Sequence, residues 1–277
     1  MTDTPQVPSY GVPGDPGPKN ATAPAVEPPK MTTWQRLANI FLSPGEVFED
    51  INRKPDVILP LILTTVLSLG FYMVVNWQLK LDPYEVAKAG VEKQLEAQGK
   101  RMRDLSENER QAYEQGIQVS VTIQKYAFIL VLVLVPLAIT FFSGVYYIGS
   151  LLIRGQTSFV KVLSVISYAS FVTDFVKGLL TVLIVAIRPP DMDAILQQNL
   201  VASNLTILAS RGTPQWLFTL FQQFDFFTIW FISLVTIGLA AICYKKKPLQ
   251  IAWLPFGLWA IWIVVRVALA FIFTGGK

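Results

Sequence analysis

Two apolar runs, 126–153 and 159–187, are separated only by Arg154, Gly155, Gln156, Thr157 and Ser158. At about 1.5 Å per residue, each run is long enough as a helix to cross a hydrocarbon core about 30 Å thick. A chain organised around two such helices and so short a turn is built for a bilayer. Its composition agrees: 52% of the 277 residues are hydrophobic, 15% are charged and the mean hydropathy is +0.46. A soluble domain carries about a quarter of charged residues.

Absences narrow the chemistry. There is no histidine, which disfavours serine–histidine hydrolysis, histidine-ligated zinc and haem chemistry together. One cysteine, Cys243, cannot form an internal disulfide. The net charge of +4 is spread among acids, so nucleic acid is not an expected partner. No catalytic, cofactor or metal motif is visible, and the chain reads as a protein without enzymatic activity.

The chain begins with a tail, 1–32, holding prolines at 5, 8, 13, 16, 18, 24, 28 and 29. This composition predicts a disordered segment. From Thr33, the residues Trp34, Leu37, Ile40 and Phe41 share one helical face, with Gln35, Arg36 and Asn39 on the polar side. That pattern suits an interfacial helix. Ser43, Pro44 and Glu46 then spell a helix start with a capping box, followed by the apolar Val47, Phe48 and Ile51.

The reading that follows is an all-α polytopic membrane protein with five transmembrane helices, an extramembrane helical hairpin and the proline-rich tail. The spans fall at about 57–77, 126–153, 159–187, 226–244 and 251–273. Between the first two, 78–125 contains two helix starts, at Asp82-Pro83-Tyr84-Glu85 and Ser106-Glu107-Asn108-Glu109. Its arms can pack through Tyr84, Ala87, Val91 and Leu95 on one and Tyr113, Ile117 and Val121 on the other. Eight basic residues balance eight acidic ones along this hairpin, which makes it a solvated surface and not a basic patch. Pro136 is expected to kink the second span. Aromatic residues from Trp216 to Phe231 read as a belt at the fourth span.

Five spans place the termini on opposite sides. Lys245, Lys246 and Lys247, with Arg53, Lys54, Arg154 and Lys161, put the N-terminus in the cytoplasm and the C-terminus outside. The eight basic residues of the 78–125 loop argue the other way, but the compact lysine triplet sits directly on two span ends. Three ionisable residues fall inside apolar runs: Asp174, Lys177 and Arg266. A charge at the bilayer centre costs about 2.5 to 3.5 kcal/mol, so each needs a partner or a wet path. Asp174 and Lys177 are one turn apart and can pair, and Arg266 can snorkel or join them. Two readings stay open for this cluster, a structural ion pair and a polar relay or substrate site. An aspartyl protease would need two facing aspartates, and only Asp174 lies at depth.

The order of parts resembles the Yip domain family, the Ypt- or Rab-interacting membrane proteins. The resemblance is carried by Phe41-Leu42-Ser43-Pro44 with Val47-Phe48, and by the central turn with Gly155, Ser158 and Phe159. It continues through Lys161 to Ser170 and the late span with Trp230 and Gly238. The resemblance implies a non-enzymatic multipass protein with a cytoplasmic N-terminus and no cofactor, tied in eukaryotic members to vesicle traffic. This chain lacks the Asp-Leu-Tyr-Gly-Pro segment of those members and inserts the 78–125 hairpin, which fits a bacterial inner-membrane member. The expected role is a scaffold or organising protein, with the bilayer, protein partners at the hairpin or tail, and a second copy of the chain as candidate partners. The alternative is a transporter or permease subunit working through Asp174, Lys177 and Arg266.

Overall fold

The computed structural model describes residues 28–196, 200–210, 212–244 and 247–274. Two short helices come first, α1 (Thr33–Asn39) and α2 (Pro44–Arg53), followed by the long α3 (Ile58–Leu79). The hairpin consists of α4 (Pro83–Ala97), a 3₁₀ turn at Met102–Asp104 and α5 (Glu107–Lys125). Then come α6 (Ala127–Leu152), α7 (Phe159–Ile187) and α8 (Met192–Leu196), and a 3₁₀ turn at Leu205–Leu208. The chain finishes with α9 (Gln215–Gln223), α10 (Phe226–Ile242), α11 (Pro248–Ile251) and α12 (Trp253–Thr274). Four stretches are long and apolar enough to cross a membrane: Ile58–Leu79, Ala127–Leu152, Phe159–Ile187 and Pro248–Phe273. The fifth apolar helix, Phe226–Ile242, has 17 residues. Alone it would reach only about 25 Å.

α7 is the hub. From Val162 to Thr173 all but one of its residues are buried, on every side of the helix, which only a helix surrounded by others can achieve. It packs against α2, α3, α6 and α10. Small side chains permit this crowding: Ser164 and Ser167 are fully buried, and the Ser164 hydroxyl donates back to the Val160 carbonyl at 2.9 Å. The other long helices turn large side chains outward, among them Leu137, Phe141 and Ile272. Such a surface is what lipid requires.

α2 closes one end of this bundle. Val47, Phe48 and Ile51 are fully buried, wedged among α7 and α10. Pro44 opens α2 as its spacing predicts, but Ser43 makes no side-chain cap bond. The hairpin packs as expected, with Leu95 and Ile117 buried between its arms. Its starts differ in detail. Ser106 and Glu109 form the full reciprocal box, whereas Asp82 only accepts from the Tyr84 N–H. Between α5 and α6 the helix is interrupted at Tyr126, so the second arm and the second span are not continuous.

The aromatic run does more than form a belt. Trp216, Phe218 and Phe221 belong to α9, which packs on α12. α9 then breaks at Phe224 and Asp225 before α10 begins. Asp225 caps α10 by accepting the Thr228 N–H at 3.0 Å and the Ser203 hydroxyl, and the Ser203 carbonyl accepts the Phe226 N–H at 2.9 Å. The Phe224 ring lies 5.5 Å from that of Trp259, the seventh residue of α12. The break therefore sits beside the body of a spanning helix and not at its end.

Gly238 on α10 marks a close approach to the hub. A Cβ there would stand 2.4 Å from Cγ1 of Val165, and a β-branched neighbour has little rotamer freedom to yield. Gly238→Ala should lower thermal stability in detergent by about 1–3 kcal/mol, as overpacking does. Gly70→Ala, where nothing lies within 4 Å, should be neutral or slightly stabilising in the same melt.

Candidate functional site

The most highly connected polar site lies where α1 and α2 meet the start of α3. α1 is started by a reciprocal cap in which Thr32 and Gln35 bond each other's backbone N–H groups. This fixes Arg36 one turn in, with its face toward α2. Arg36 is 2% exposed and Asp50 is 1% exposed. Arg36 Nε and Nη2 approach Asp50 Oδ2 at 2.9 and 2.8 Å. Nη1 lies 2.9 Å from both Asp56 Oδ1 and the Lys54 carbonyl, and Nη2 also donates to the Asp50 carbonyl at 3.2 Å. The planar fork of a guanidinium is thus used on all three nitrogens.

The acids are engaged as fully. Asp50 accepts the backbone N–H of Lys30 at 2.6 Å and of Met31 at 3.1 Å. Asp56 Oδ2 accepts the Thr33 hydroxyl at 2.7 Å and the Tyr168 hydroxyl at 3.1 Å. Nearby, Lys161 donates to Asn52 Oδ1 at 2.6 Å. One network therefore joins the chain before α1, both short helices, the start of α3 and the buried face of α7. Burial works against the Arg36 charge, and Asp50 and Asp56 outweigh it, so its pKa is raised. Burial likewise works against the Asp50 charge, and the Lys30 N–H and Arg36 outweigh it, which leaves the carboxyl below the usual range. A cleft of about 450 Å³ opens here, lined by Met31, Thr32, Gln35 and Lys54 as well as Arg36 and Asp56.

This arrangement corrects two expectations. Arg36 is not on a solvated polar face but at the centre of a buried network. The tail, expected to be loose through residue 32, is tied down from Lys30; residues 1–27 lie outside the described ones. The sequence held a faint signal, since Asp50 falls in register with the apolar Val47 and Ile51, where a carboxylate demands a cation.

The residues singled out by depth are dispersed. Asp174 and Lys177 are both exposed on α7, and among the described residues no ion pair joins them to each other or to Arg266. Lys177 turns instead toward α10, 5.7 Å from the Phe227 ring. It lines a cavity of about 580 Å³ with Asn76, Gln124, Thr181, Asn204 and Asp225. Arg266 lies over the Trp262 ring at 5.9 Å and faces a different cavity, with Lys93, Glu96, Gln215 and Gln222. The hairpin and the described residues of the 191–214 connection supply these polar walls.

Pro136 lies within α6, a single helix from Ala127 to Leu152. At the central turn, Arg154 and Gln156 take left-handed backbone angles, φ 56° and 44°. Gly155 touches the end of α10: its carbonyl accepts the Tyr244 N–H at 2.8 Å, and a Cβ would lie 2.9 Å from Cys243 Sγ. Cys243 is accordingly buried. Ser158 caps α7 without a side-chain bond, and the Phe159 ring stands 5.9 Å from Tyr147. Of the lysine triplet, Lys245 and Lys246 lie outside the described residues.

These features define a class, a multipass helical membrane protein whose N-terminal helices are locked into one end of the bundle. The family model of the Yip1 domain matches residues 38–271. The chain belongs to the Yip1 domain family. Comparison with curated proteins and with solved structures yields no match.

A lowered Asp50 pKa contributes stability that is complete above the unfolded-chain value of about 3.9 and is lost as pH falls through the folded value. The protection factors of α1 and α2 amides in nanodiscs, taken relative to intrinsic exchange at each pH, should therefore fall below about pH 4. In Arg36→Gln, protection should already be low at neutral pH, by the roughly 3–5 kcal/mol that breaking a buried pair costs. The acid-linked loss should shrink there, because Asp50 keeps only Arg53, at 3.6 Å, as a cationic partner.

Proposed function

We propose that this protein is a non-enzymatic membrane scaffold of the inner membrane, with its N-terminus in the cytoplasm and its charged hairpin on the far side. The observation that carries the reading is the separation of two different surfaces by one rigid helix. α3 runs for 22 residues, about 33 Å, between the Arg36–Asp50–Asp56 network at one end and the hairpin at the other. The network end presents a polar cleft beside a proline-rich segment. The hairpin end presents solvated helices of balanced charge, with Tyr84 donating to Glu114 at 3.2 Å across the arms. Both are surfaces for other proteins, and neither is built for chemistry.

The transporter reading needs Asp174, Lys177 and Arg266 to act as a unit. Lys177 and Arg266 line different cavities, and that weighs toward the scaffold. A homo-oligomer is compatible with this role.

Topology and partners are tested together by placing a proximity-labelling enzyme at the N-terminus and, separately, in the hairpin near Gly99. The two fusions should label opposite sides of the membrane, and each should enrich a consistent set of proteins. Labelling of the same side would refute the orientation. Opposite sides with no enriched protein at either position would refute the scaffold role.

A further inference from the structure

Along α12 an apolar groove runs up to Val265, and the next residue, Arg266, borders a polar cavity. The groove, about 370 Å³, is walled by Phe142 and Tyr146 of α6, Phe231 of α10, and Trp259, Trp262 and Val265 of α12. Its α6 and α12 walls are spanning helices and its third wall is the apolar α10, so it opens to the acyl region of the bilayer and not to water. Arg266, the residue after Val265, faces the polar cavity of about 970 Å³ between α9, α12 and the hairpin. Helical spacing puts Trp259, Trp262 and Arg266 on one side of α12. The Arg266 guanidinium lies over Trp262, itself a wall of the groove, and an apolar slot beside a guanidinium has the shape and charge of an amphiphile site.

The charges around the cavity narrow the ligand. Lys93 is committed to Asp193 at 2.6 Å. Arg266 has no carboxylate partner among the described residues, and its guanidinium rests on Trp262. Glu96 also lines the cavity and forms no ion pair among the described residues. One cation and one carboxylate, both uncompensated, match a headgroup that carries an amine beside its phosphate.

We propose that this is a binding site for a single zwitterionic aminophospholipid, with its phosphate on Arg266, its ammonium toward Glu96 and one acyl chain in the α6–α10–α12 groove. Arginine suits the phosphate because its fork donates two parallel hydrogen bonds. The aromatic walls suit the chain and the glycerol region, as aromatic side chains do near membrane interfaces. Phe224 packs on Trp259, so the break between α9 and α10 supports one wall of the slot.

The test uses the full chain in nanodiscs that contain phosphatidylethanolamine or phosphatidylglycerol, each bearing the same diazirine in one acyl chain, with crosslinked peptides mapped by mass spectrometry. The phosphatidylethanolamine probe should concentrate on peptides carrying Phe142 to Tyr146 and Leu258 to Val265. Arg266→Gln should lower that labelling about tenfold, the loss expected for one charge-assisted hydrogen bond, and Arg266→Lys should retain part of it. Ile261→Trp, which fills the groove from its wall, should also abolish it while leaving the melting temperature in place. Equal labelling by both probes overturns the assignment of the amine to Glu96. Labelling spread evenly over all lipid-facing helices, or unchanged in Arg266→Gln, overturns the site. A protein–protein crosslink through the groove assigns it to a second copy and overturns the lipid.

Discussion

The burial of Arg36 against Asp50 is the constraint on which the α1–α2 end of this bundle depends. Two charges at 2% and 1% exposure lose their hydration, and their attraction offsets that loss only when the geometry is good and the remaining donors and acceptors are filled. Here they are filled by Lys30 and Met31 from the chain before α1 and by Lys54 and Asp56 from the α2–α3 connection. The network consequently reads the positions of all these parts at once. If α1 were rotated by a residue, the guanidinium would meet apolar side chains and Asp50 would keep only the longer 3.6 Å contact to Arg53 as an ion pair. An ion pair of this kind adds little net stability over an apolar pair of the same shape, but it penalises every wrong arrangement.

From that lock the rest of the bundle follows. Tyr168, bonded to Asp56, sits fully buried on α7, so the network fixes the height of the hub relative to α3. α2 then fits Phe48 against α7 and α10 near Gly238 and Val165. The far ends of α7 and α12 are held more loosely. There the structure is completed by the hairpin and by the α9–α10 break, which leave polar cavities beside Lys177 and Arg266. Rigid packing at one end and cavities at the other suit a protein that is anchored on one side and accessible on the other.

Much of the architecture was legible because its signals are local. The length of 159–187 and its apolar content identified α7, and the Ser106 box identified the start of α5. The family was legible in the order of short motifs such as Ser43-Pro44 and Gly155 to Phe159. What escaped depends on contacts far apart in sequence. Arg36 looks like an ordinary polar residue until Asp50 and Asp56 are brought to it, and Tyr168 gives no hint of its bond to a residue 112 positions away. Asp174 and Lys177 were expected to pair because they are one turn apart, but spacing says nothing of the Phe227 ring and the polar cavity that draw the lysine elsewhere. The aromatic run from Trp216 likewise fits a belt or a broken helix equally well until α12 is packed beside it.

Membership of the Yip1 domain family places these features in a membrane protein, and the lock at α1 and α2 explains how an amphipathic N-terminal layer becomes part of its core. The most direct test is a double-mutant cycle on Arg36→Met and Asp50→Asn, read as unfolding free energy in a fixed detergent. Each single substitution should destabilise by about 3–5 kcal/mol, and the double should recover much of that loss, because neither charge is then buried alone. Losses that simply add, within about 0.5 kcal/mol, would contradict the account.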